Sequence, residues 1–181
     1  ITSPIRINKQ FTIIEGEGAG TRINFDGATV PYAFVLNESV QTANIVIRDM
    51  RIVSTTAGTG IAINGTLMTA SIFDNLWILD VNKGFFFNLS GTHYNIVEDT
   101  RIDVEGANSV GVLLDSIANE NTLQRLRIST TIDSTGVFIN SHGNELYSVN
   151  VETNAGHGID IGSEGHDNLL SGIYLEGNDI N

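Results

Sequence analysis

Apolar and polar residues alternate in short runs along this chain, and turn-forming residues separate the runs. The stretch 70–88 shows the unit most clearly, because its alternation breaks at Asn75, a residue type that tolerates the left-handed turn conformation. Side chains alternate between the two faces of a strand, which predicts two short strands that meet at a corner. The inward set is Phe73, Leu76 and Ile78, and the outward set is Asp74, Trp77 and Leu79.

The same unit recurs at intervals of 23 to 26 residues. The residues that align with Asn75 define a corner column: Asp49, Asn75, Asp99, Arg125, Ser148 and Gly172. The position three residues after the corner is always aliphatic: Ile52, Ile78, Ile102, Ile128, Val151 and Leu175. The position two residues before the corner is always apolar: Ile47, Phe73, Val97, Leu123, Leu146 and Leu170. Such columns predict a core in which similar apolar side chains stack on one another from coil to coil.

A second strand, with glycine at its start in most copies, recurs at the same intervals. Its copies are the segments 33–37, 60–64, 84–88, 111–115, 136–140 and 158–162. Three short strands per repeat leave no room for a helix, so consecutive repeats must stack as parallel strands about 4.8 Å apart. We therefore predict an all-β fold, a right-handed single-stranded parallel β-helix of about seven coils, with each coil made of three short strands.

Polar residues form two further columns, which we call amide ladders. The first ladder is Asn95, Asn121, Asn144 and Asn168, and the second is Asn37, Asn64, Asn88, Asp115 and Asn140. Stacked amides at a turn can hydrogen-bond to the coils above and below. Asn37, Asn64 and Asn88 also match the glycosylation sequon, but the ladder already accounts for them.

The ends of the chain carry no atypical capping repeat. Alternation is already present at Ile5 and Ile7, and the chain ends shortly after the strand-like Tyr174 and Leu175. Repeat proteins usually have distinct terminal caps. We expect residues 1–181 to form one β-helix domain, truncated at both ends, within a longer chain.

Composition excludes several classes of function. The net charge of −12 disfavours a nucleic-acid partner, which requires clustered lysine and arginine, and no apolar run is long enough for membrane insertion. Cysteine is absent, and the four histidines show no ligand spacing, so no metal site is predicted. Gly16, Gly18 and Gly20 precede no predicted helix, and no cofactor is expected.

The repeats resemble a known scaffold. The pattern Asn-x-Leu-x-x-Ile-x-Leu at 168–175, together with Gly-Ile-x-Ile at 158–161, is similar to the right-handed parallel β-helices of the pectate-lyase-like superfamily. The opening at 5–21, with Gly16, Gly18, Gly20 and Thr21, resembles the first coils of its viral (bacteriophage) tailspike and pectate-lyase-like members. The resemblance covers nearly the whole chain, but it concerns the scaffold, on whose outer face function is grafted.

Two apolar stripes face outward. The first contains Val35, Ala62, Phe86, Leu113 and Phe138, and the second contains Val46, Ile72 and Ile96. A solitary soluble solenoid should not expose such stripes, so we expect other chains to cover them, in a homotrimer. The alternative is that Phe86 and Phe138 stack into a surface ladder within one chain.

A third outward column, which we call the arginine column, lies two positions after the corner: Arg51, Trp77, Arg101, Arg127, Asn150 and Tyr174. Flat aromatic rings stack on sugars, and guanidinium forks bind carboxylates or phosphates, so the column predicts a polysaccharide site. The neighbouring column, which we call the acid column, reads Val53, Leu79, Asp103, Ser129, Glu152 and Glu176. The substrate-binding candidates are Arg51, Trp77, Arg101, Arg127, Asp103 and Tyr174. A surface ladder of neutralised charges is the equal alternative.

The pre-corner column, one position before the corner, contains two carboxyl groups on consecutive coils. It reads Arg48, Asp74, Glu98, Gln124, Tyr147 and Ser171. Asp74 and Glu98 would lie about 5 Å apart, a separation that suits retaining glycoside hydrolysis. They are the catalytic candidates, and a pair of unrelated surface acids is the alternative.

These observations favour a viral tailspike or tail appendage in the virion. It would bind a host surface polysaccharide, with hydrolysis as a further hypothesis. A non-catalytic structural or adhesive solenoid is the first alternative. A secreted polysaccharide lyase or epimerase is the second.

Overall fold

The computed structural model describes residues 1–36, 42–56, 58–63, 68–87, 92–115, 117–131, 133–152 and 156–177. This part of the chain contains strands and one short 3₁₀ helix, Gly18–Gly20. The strands in chain order are β1 (Ile5–Ile7), β2 (Ile13–Glu15), β3 (Arg22–Phe25), β4 (Tyr32–Leu36), β5 (Thr42–Ala43), β6 (Val46–Ser54), β7 (Thr59–Ile63), β8 (Met68–Thr69), β9 (Ile72–Val81), β10 (Lys83–Phe87), β11 (Thr92–His93), β12 (Ile96–Glu98), β13 (Arg101–Val104), β14 (Val110–Asp115), β15 (Thr122–Gln124), β16 (Arg127–Ser129), β17 (Thr135–Asn140), β18 (Glu145–Tyr147), β19 (Asn150–Glu152), β20 (His157–Ile161), β21 (Leu169–Ser171) and β22 (Tyr174–Glu176).

The strands form a parallel β-solenoid. One sheet has seven strands in the order β1-β4-β7-β10-β14-β17-β20, and every pairing in it is parallel. A second sheet contains β5, β8 and β11. The third sheet bends at the corner column, through which β6 and β9 each continue as a single strand. The seven strands of the first sheet correspond to about six complete turns, which confirms the predicted stacked, all-β parallel fold.

The inward and outward faces predicted for residues 73–79 are also confirmed. Phe73, Leu76 and Ile78 are fully buried, whereas Asp74, Trp77 and Leu79 are partly exposed. The corner column has positive φ angles throughout, from 48° at Asp99 to 65° at Gly172. The aliphatic and aromatic columns stack into one continuous core along the solenoid.

The glycine that begins the recurrent strand makes room for the aliphatic column of the opposite sheet. A Cβ atom on Gly111 would lie 2.5 Å from Ile128 Cγ2 and 2.5 Å from the Gly136 carbonyl oxygen. Gly84 faces Ile102 at the same distance. Backbone atoms cannot yield at such separations, so close packing of the sheets excludes larger residues there.

A second left-handed column, which the sequence pattern did not reveal, immediately precedes the first amide ladder. Its members are Phe11, Asn44, Ala70, Tyr94, Glu120, Gly143 and Asp167. The left-handed conformation costs roughly 1–2 kcal/mol for residues other than glycine. Each backbone N–H in the column from Phe11 to Gly143 donates to a carbonyl oxygen of the next coil, as Tyr94 does to Glu120 at 3.0 Å. The inter-coil bonds therefore offset the local strain.

The first amide ladder is continuous and buried. Asn95 Nδ2 donates to Asn121 Oδ1 at 2.9 Å, and Asn121 and Asn144 repeat this bond to the next coil at 3.2 Å. Each Oδ1 also accepts a backbone N–H from the coil before it. Asn95, Asn121 and Asn144 are all buried, so the predicted stack exists and satisfies buried polar groups.

Only part of the second amide ladder falls in the described structure. Asn140 Nδ2 donates to Asp115 Oδ1 at 3.1 Å, across consecutive coils. Asn37, Asn64 and Asn88, and with them the three sequons, lie outside the described residues.

Candidate functional site

The predicted carboxyl pair lies side by side on consecutive coils. Glu98 on β12 is the register partner of Asp74 on β9, and Arg48 and Gln124 flank the two on the outer coils. Paired strands lie about 4.8 Å apart, and this backbone spacing is the basis of the comparison with retaining hydrolysis. The inward burial of Phe73 and Val97, the preceding residues, directs both carboxyl groups outward.

Glu98 is held by two donors from the next coil. Its Oε2 atom accepts hydrogen bonds of 2.7 Å from Gln124 Nε2 and 2.7 Å from Arg125 Nη2. The same guanidinium binds both oxygens of Asp99, each at 2.7 Å. Charge-assisted hydrogen bonds of this kind fix the orientation of the carboxylate.

Asp74 has a different environment. Within the described residues it makes no hydrogen bond, and its cationic neighbour Arg48 is bound to Glu15 at 3.0 Å. Partial burial raises the pKa of Asp74 above its ordinary value, and the nearby charges of Glu98, Asp99 and Asp49 raise it further. Arg48 opposes this shift without cancelling it. The pair is therefore asymmetric, with one carboxyl group held by donors and the other without them.

The arginine column lies on the other side of the corner. Strand pairing extends it to one residue that the sequence analysis missed, Arg22, the register partner of Arg51. The first coil contains the 3₁₀ helix Gly18–Gly20 between its two strands, whereas β6 passes the corner without interruption. This insertion shifts Arg22 away from the spacing of the later repeats, so the periodic alignment did not find it.

Arg51 and Trp77 form the distinctive contact of the arginine column. The Arg51 guanidinium carbon lies 4.2 Å from the centroid of the Trp77 ring, within the range of a cation–π interaction. Arg51 forms no ion pair within the described residues, and its buried Nε atom has no hydrogen-bond partner there. This coil pair therefore presents an indole ring beside a guanidinium whose charge is not neutralised by a carboxylate.

The remaining members of the column are engaged by the acid column. Arg101 binds both oxygens of Asp103, at 2.8–3.1 Å, and Arg127 binds Glu152 at 3.2 Å. Tyr174 donates to Glu176 at 3.3 Å. These are the contacts expected if the column is a surface ladder of neutralised charges. That alternative fits Arg101, Arg127 and Asp103 better than it fits Arg51.

The structure does not bring the carboxyl pair into contact with Arg51 or Trp77 of the arginine column. Asp74 and Trp77 lie on opposite sides of the corner residue Asn75, whose Nδ2 atom donates to Asp49 at 2.6 Å. Within the described residues, no hydrogen bond, ion pair or ring contact joins the carboxyl pair to Arg51 or Trp77. A ligand that used both groups would have to span the corner.

The apolar stripes are only partly exposed. Phe86, Ile72, Ile96 and Phe138 are half-buried, and Lys83 Nζ lies 5.3 Å from the centroid of the Phe86 ring. Val35 differs from the prediction, because it is buried within this chain. The side chain of Ala62 lies outside the described residues. The partly exposed stripe therefore begins after the first coils.

The remaining motifs have structural explanations. A Cβ atom on Gly16 would lie 2.2 Å from the Asp49 carbonyl oxygen, so close contact between coils requires glycine there. His142 and His166 stack with parallel rings at 5.0 Å.

Across the described ranges, no group of three or more acidic or histidine side chains could hold a metal ion. No helix in the same ranges is long and apolar enough to cross a membrane.

Comparison of the chain with protein-family models, with curated proteins and with solved structures found no significant match. The class of protein is therefore defined by the fold, a parallel β-solenoid. The resemblance to the pectate-lyase-like superfamily stays a prediction from the sequence.

Proposed function

We propose that this chain is a polysaccharide-binding β-solenoid from a viral tail appendage. The observation that carries the proposal is the Arg51–Trp77 pair, with an indole ring beside a guanidinium that has no carboxylate partner among the described residues. An indole face stacks on a sugar ring, and a guanidinium fork binds a sugar carboxylate or phosphate. Because the chain carries a net charge of −12, this local cationic site would also orient an anionic glycan.

The glycan-binding site is centred on the first coils of the arginine column. The register partners Arg22, Arg51 and Trp77 lie on three consecutive coils. On these three coils the positions of the acid column are occupied by Asn24, Val53 and Leu79, none of which is charged. Farther along the solenoid Asp103 and Glu152 neutralise Arg101 and Arg127. An anionic sugar therefore meets attraction at the first coils and little net charge beyond them.

The affinity of Trp77→Ala for an anionic polysaccharide tests this proposal. We expect binding to weaken by about 1–3 kcal/mol in free energy, because the stacking surface is lost, with little change in thermal stability. Titration calorimetry on a panel of polysaccharides would measure the affinities of the parent protein and the variant. The matched control is Arg127→Gln, since Arg127 already binds Glu152 and its loss should change affinity little. Unchanged affinity in Trp77→Ala would move the site away from this face.

We further propose that the carboxyl pair hydrolyses the bound glycan with retention. The Asp74 carboxylic acid gives its proton to the glycosidic oxygen while a Glu98 oxygen attacks the anomeric carbon, so the C–O bond breaks as a glycosyl ester forms. The Asp74 carboxylate then takes a proton from water, whose oxygen attacks the same carbon and releases Glu98. The observation that favours this chemistry is the raised pKa of Asp74 beside a hydrogen-bonded Glu98.

Asp74→Asn and Glu98→Gln test the hydrolytic proposal. We expect both variants to bind glycan as the parent protein does, and to lose the new reducing ends that the parent protein produces, because only proton transfer or nucleophilic attack is removed. Full activity in both variants would reduce Asp74 and Glu98 to surface charges. Products with an unsaturated sugar ring would indicate a lyase. A parent protein that binds without any cleavage would be an adhesive solenoid.

The proposed assembly is a homotrimer that covers the apolar stripes. Replacing Phe86 and Ile96 together with aspartate should dissociate it, because burying two unpaired charges at an interface costs several kcal/mol. Sedimentation of the intact protein and of the variant measures the change. Ser129→Asp, on the acid column, is the control and should leave the trimer intact. A native monomer would exclude this assembly and favour the surface ladder within one chain.

A further inference from the structure

The arginine column begins with two adjacent arginines that have no acidic partner. Arg22 on β3 and Arg51 on β6 are register partners on consecutive coils, and strands paired in this way lie about 4.8 Å apart. Neither side chain forms an ion pair within the described residues. Like charges that lie opposite one another on paired strands are destabilising, so this pair carries a repulsion that a bound anion would relieve.

Arg22 repeats a contact of Arg101 without the acid. Arg101 binds both carboxylate oxygens of Asp103, two residues later on β13, at 2.8–3.1 Å. Arg22 Nε makes the corresponding contact with Asn24 Oδ1 on β3. An amide oxygen carries no net charge, so the contact leaves the positive charge of Arg22 uncompensated. The two terminal nitrogens of Arg22 donate no hydrogen bond within the described residues.

Arg51 is turned toward the indole ring of the next coil. The residue two positions after it, Val53, is buried and has no acceptor in its side chain. The guanidinium carbon of Arg51 lies 4.2 Å from the centroid of the Trp77 ring. An anion bound to Arg51 would therefore lie beside Trp77, which is the only tryptophan in the chain.

The acids of the first coils make their contacts elsewhere. Glu15 lies 3.0 Å from Arg48, and Asp49 lies 3.6 Å from the same guanidinium. Asp26 accepts a hydrogen bond from the hydroxyl group of Thr56. Within the described part of these coils, no carboxylate is close enough to either arginine of the pair to form an ion pair.

We propose that Arg22 and Arg51 together bind one tetrahedral oxyanion, which is a phosphate or sulfate group of the glycan. A single guanidinium fork already uses both oxygens of a carboxylate, as Arg101 does with Asp103. A phosphate or sulfate group has further acceptor oxygens, so two forks on consecutive coils can bind it at once. The anion site is a property of the protein alone, whereas its assignment to a glycan rests on the proposed function.

Titration of the intact protein with inorganic phosphate, sulfate and acetate tests the site, with calorimetry and Trp77 fluorescence as the two measurements. At constant ionic strength we expect phosphate and sulfate to bind saturably and to change the fluorescence, and acetate to bind about tenfold more weakly or less. Arg22→Gln and Arg51→Gln should each weaken phosphate binding by about tenfold or more, because one of the two guanidinium contacts is lost.

Asn24→Asp is the most specific variant, because it keeps both arginines and gives Arg22 the kind of acidic partner that Arg101 already has. We expect it to weaken phosphate binding as much as Arg22→Gln does. Arg127→Gln is the matched control, since Arg127 already binds Glu152, and it should leave phosphate binding unchanged.

Three results would overturn the anion site or its chemistry. Acetate that binds as tightly as phosphate would contradict the choice of a tetrahedral anion. Phosphate that does not bind the parent protein, or that binds without changing the fluorescence of Trp77, would exclude this place. Phosphate affinity that is the same in the parent protein, Arg22→Gln and Asn24→Asp would do so as well.

Polysaccharides that carry phosphate, sulfate or only uronic acid groups then identify the source of the anion. A phosphorylated or sulfated chain should compete with inorganic phosphate, and a uronic acid chain should not. Polysaccharide binding that depends on Trp77 but is unaffected by phosphate would contradict this assignment and leave the proposed function standing. Phosphate binding by a protein that binds no polysaccharide would leave the anion site standing and contradict the proposed function.

Discussion

Replacing Asn121 with alanine should lower the free energy of unfolding by about 3–5 kcal/mol, one of the largest losses from any single substitution in this chain. Asn121 Oδ1 accepts the backbone N–H of Asn95 at 3.2 Å and its Nδ2 at 2.9 Å. Asn121 Nδ2 donates to the carbonyl oxygens of Thr92 and Asn119 at 3.0 Å each. All four residues are buried, so the truncation removes hydrogen-bond partners from buried polar groups.

Urea unfolding followed by circular dichroism measures the effect of Asn121→Ala. Asn150→Ala is the matched control, because Asn150 is a partly exposed asparagine whose Nδ2 atom bonds Glu152 on the solenoid surface. The control should lose less than about 1 kcal/mol. Equal losses in the two variants would mean that the buried ladder contributes no more than a surface amide.

Ile78→Asn should cost a similar amount, about 3–5 kcal/mol, whereas Leu79→Asn should cost less than about 1 kcal/mol. Ile78 is fully buried and fits into the space that Gly60 leaves on the opposite sheet. An amide there would lose the apolar contacts and find no partner, and the coils above and below would lose their stacking surface. Leu79 is the next residue and faces outward, so its substitution keeps the core unchanged.

The same urea experiment distinguishes the two variants. Since side chains alternate with a period of two, an error of one residue in the register would exchange the roles of Ile78 and Leu79. Comparable destabilisation by both substitutions would therefore contradict the register.

Much of the scaffold was predictable because the repeat samples each position several times. One strand cannot show which face is buried, but six copies with an aliphatic residue at the place of Ile78 can, since only a core column requires this in every coil. The left-handed corner was predictable from Asn75, Asp49 and Asp99, whose short polar side chains tolerate that conformation. The structure confirms both features.

The second left-handed column was not predictable, because its members include Ala70, Tyr94 and Glu120, which have no preference for that conformation. The column exists because the N–H groups of these residues bond to carbonyl oxygens of the next coil, and those partners are 22 to 26 residues away in sequence. The role of Gly111 was hidden in the same way. Its requirement for glycine comes from Ile128 on the opposite sheet.

The candidate site also has some features that were predictable from the sequence and others that were not. The sequence by itself determined that Asp74 and Glu98 face outward on consecutive coils, and that Trp77 and Arg51 share a column, because periodicity sets both face and register. Only the tertiary structure decided which charges are already used, because that depends on side-chain reach between coils. Arg101 and Arg127 are bound to acids, Arg51 stacks on Trp77, and Arg125 holds Glu98. A column alignment states which residues are neighbours, but distances and donor directions decide which neighbours bind.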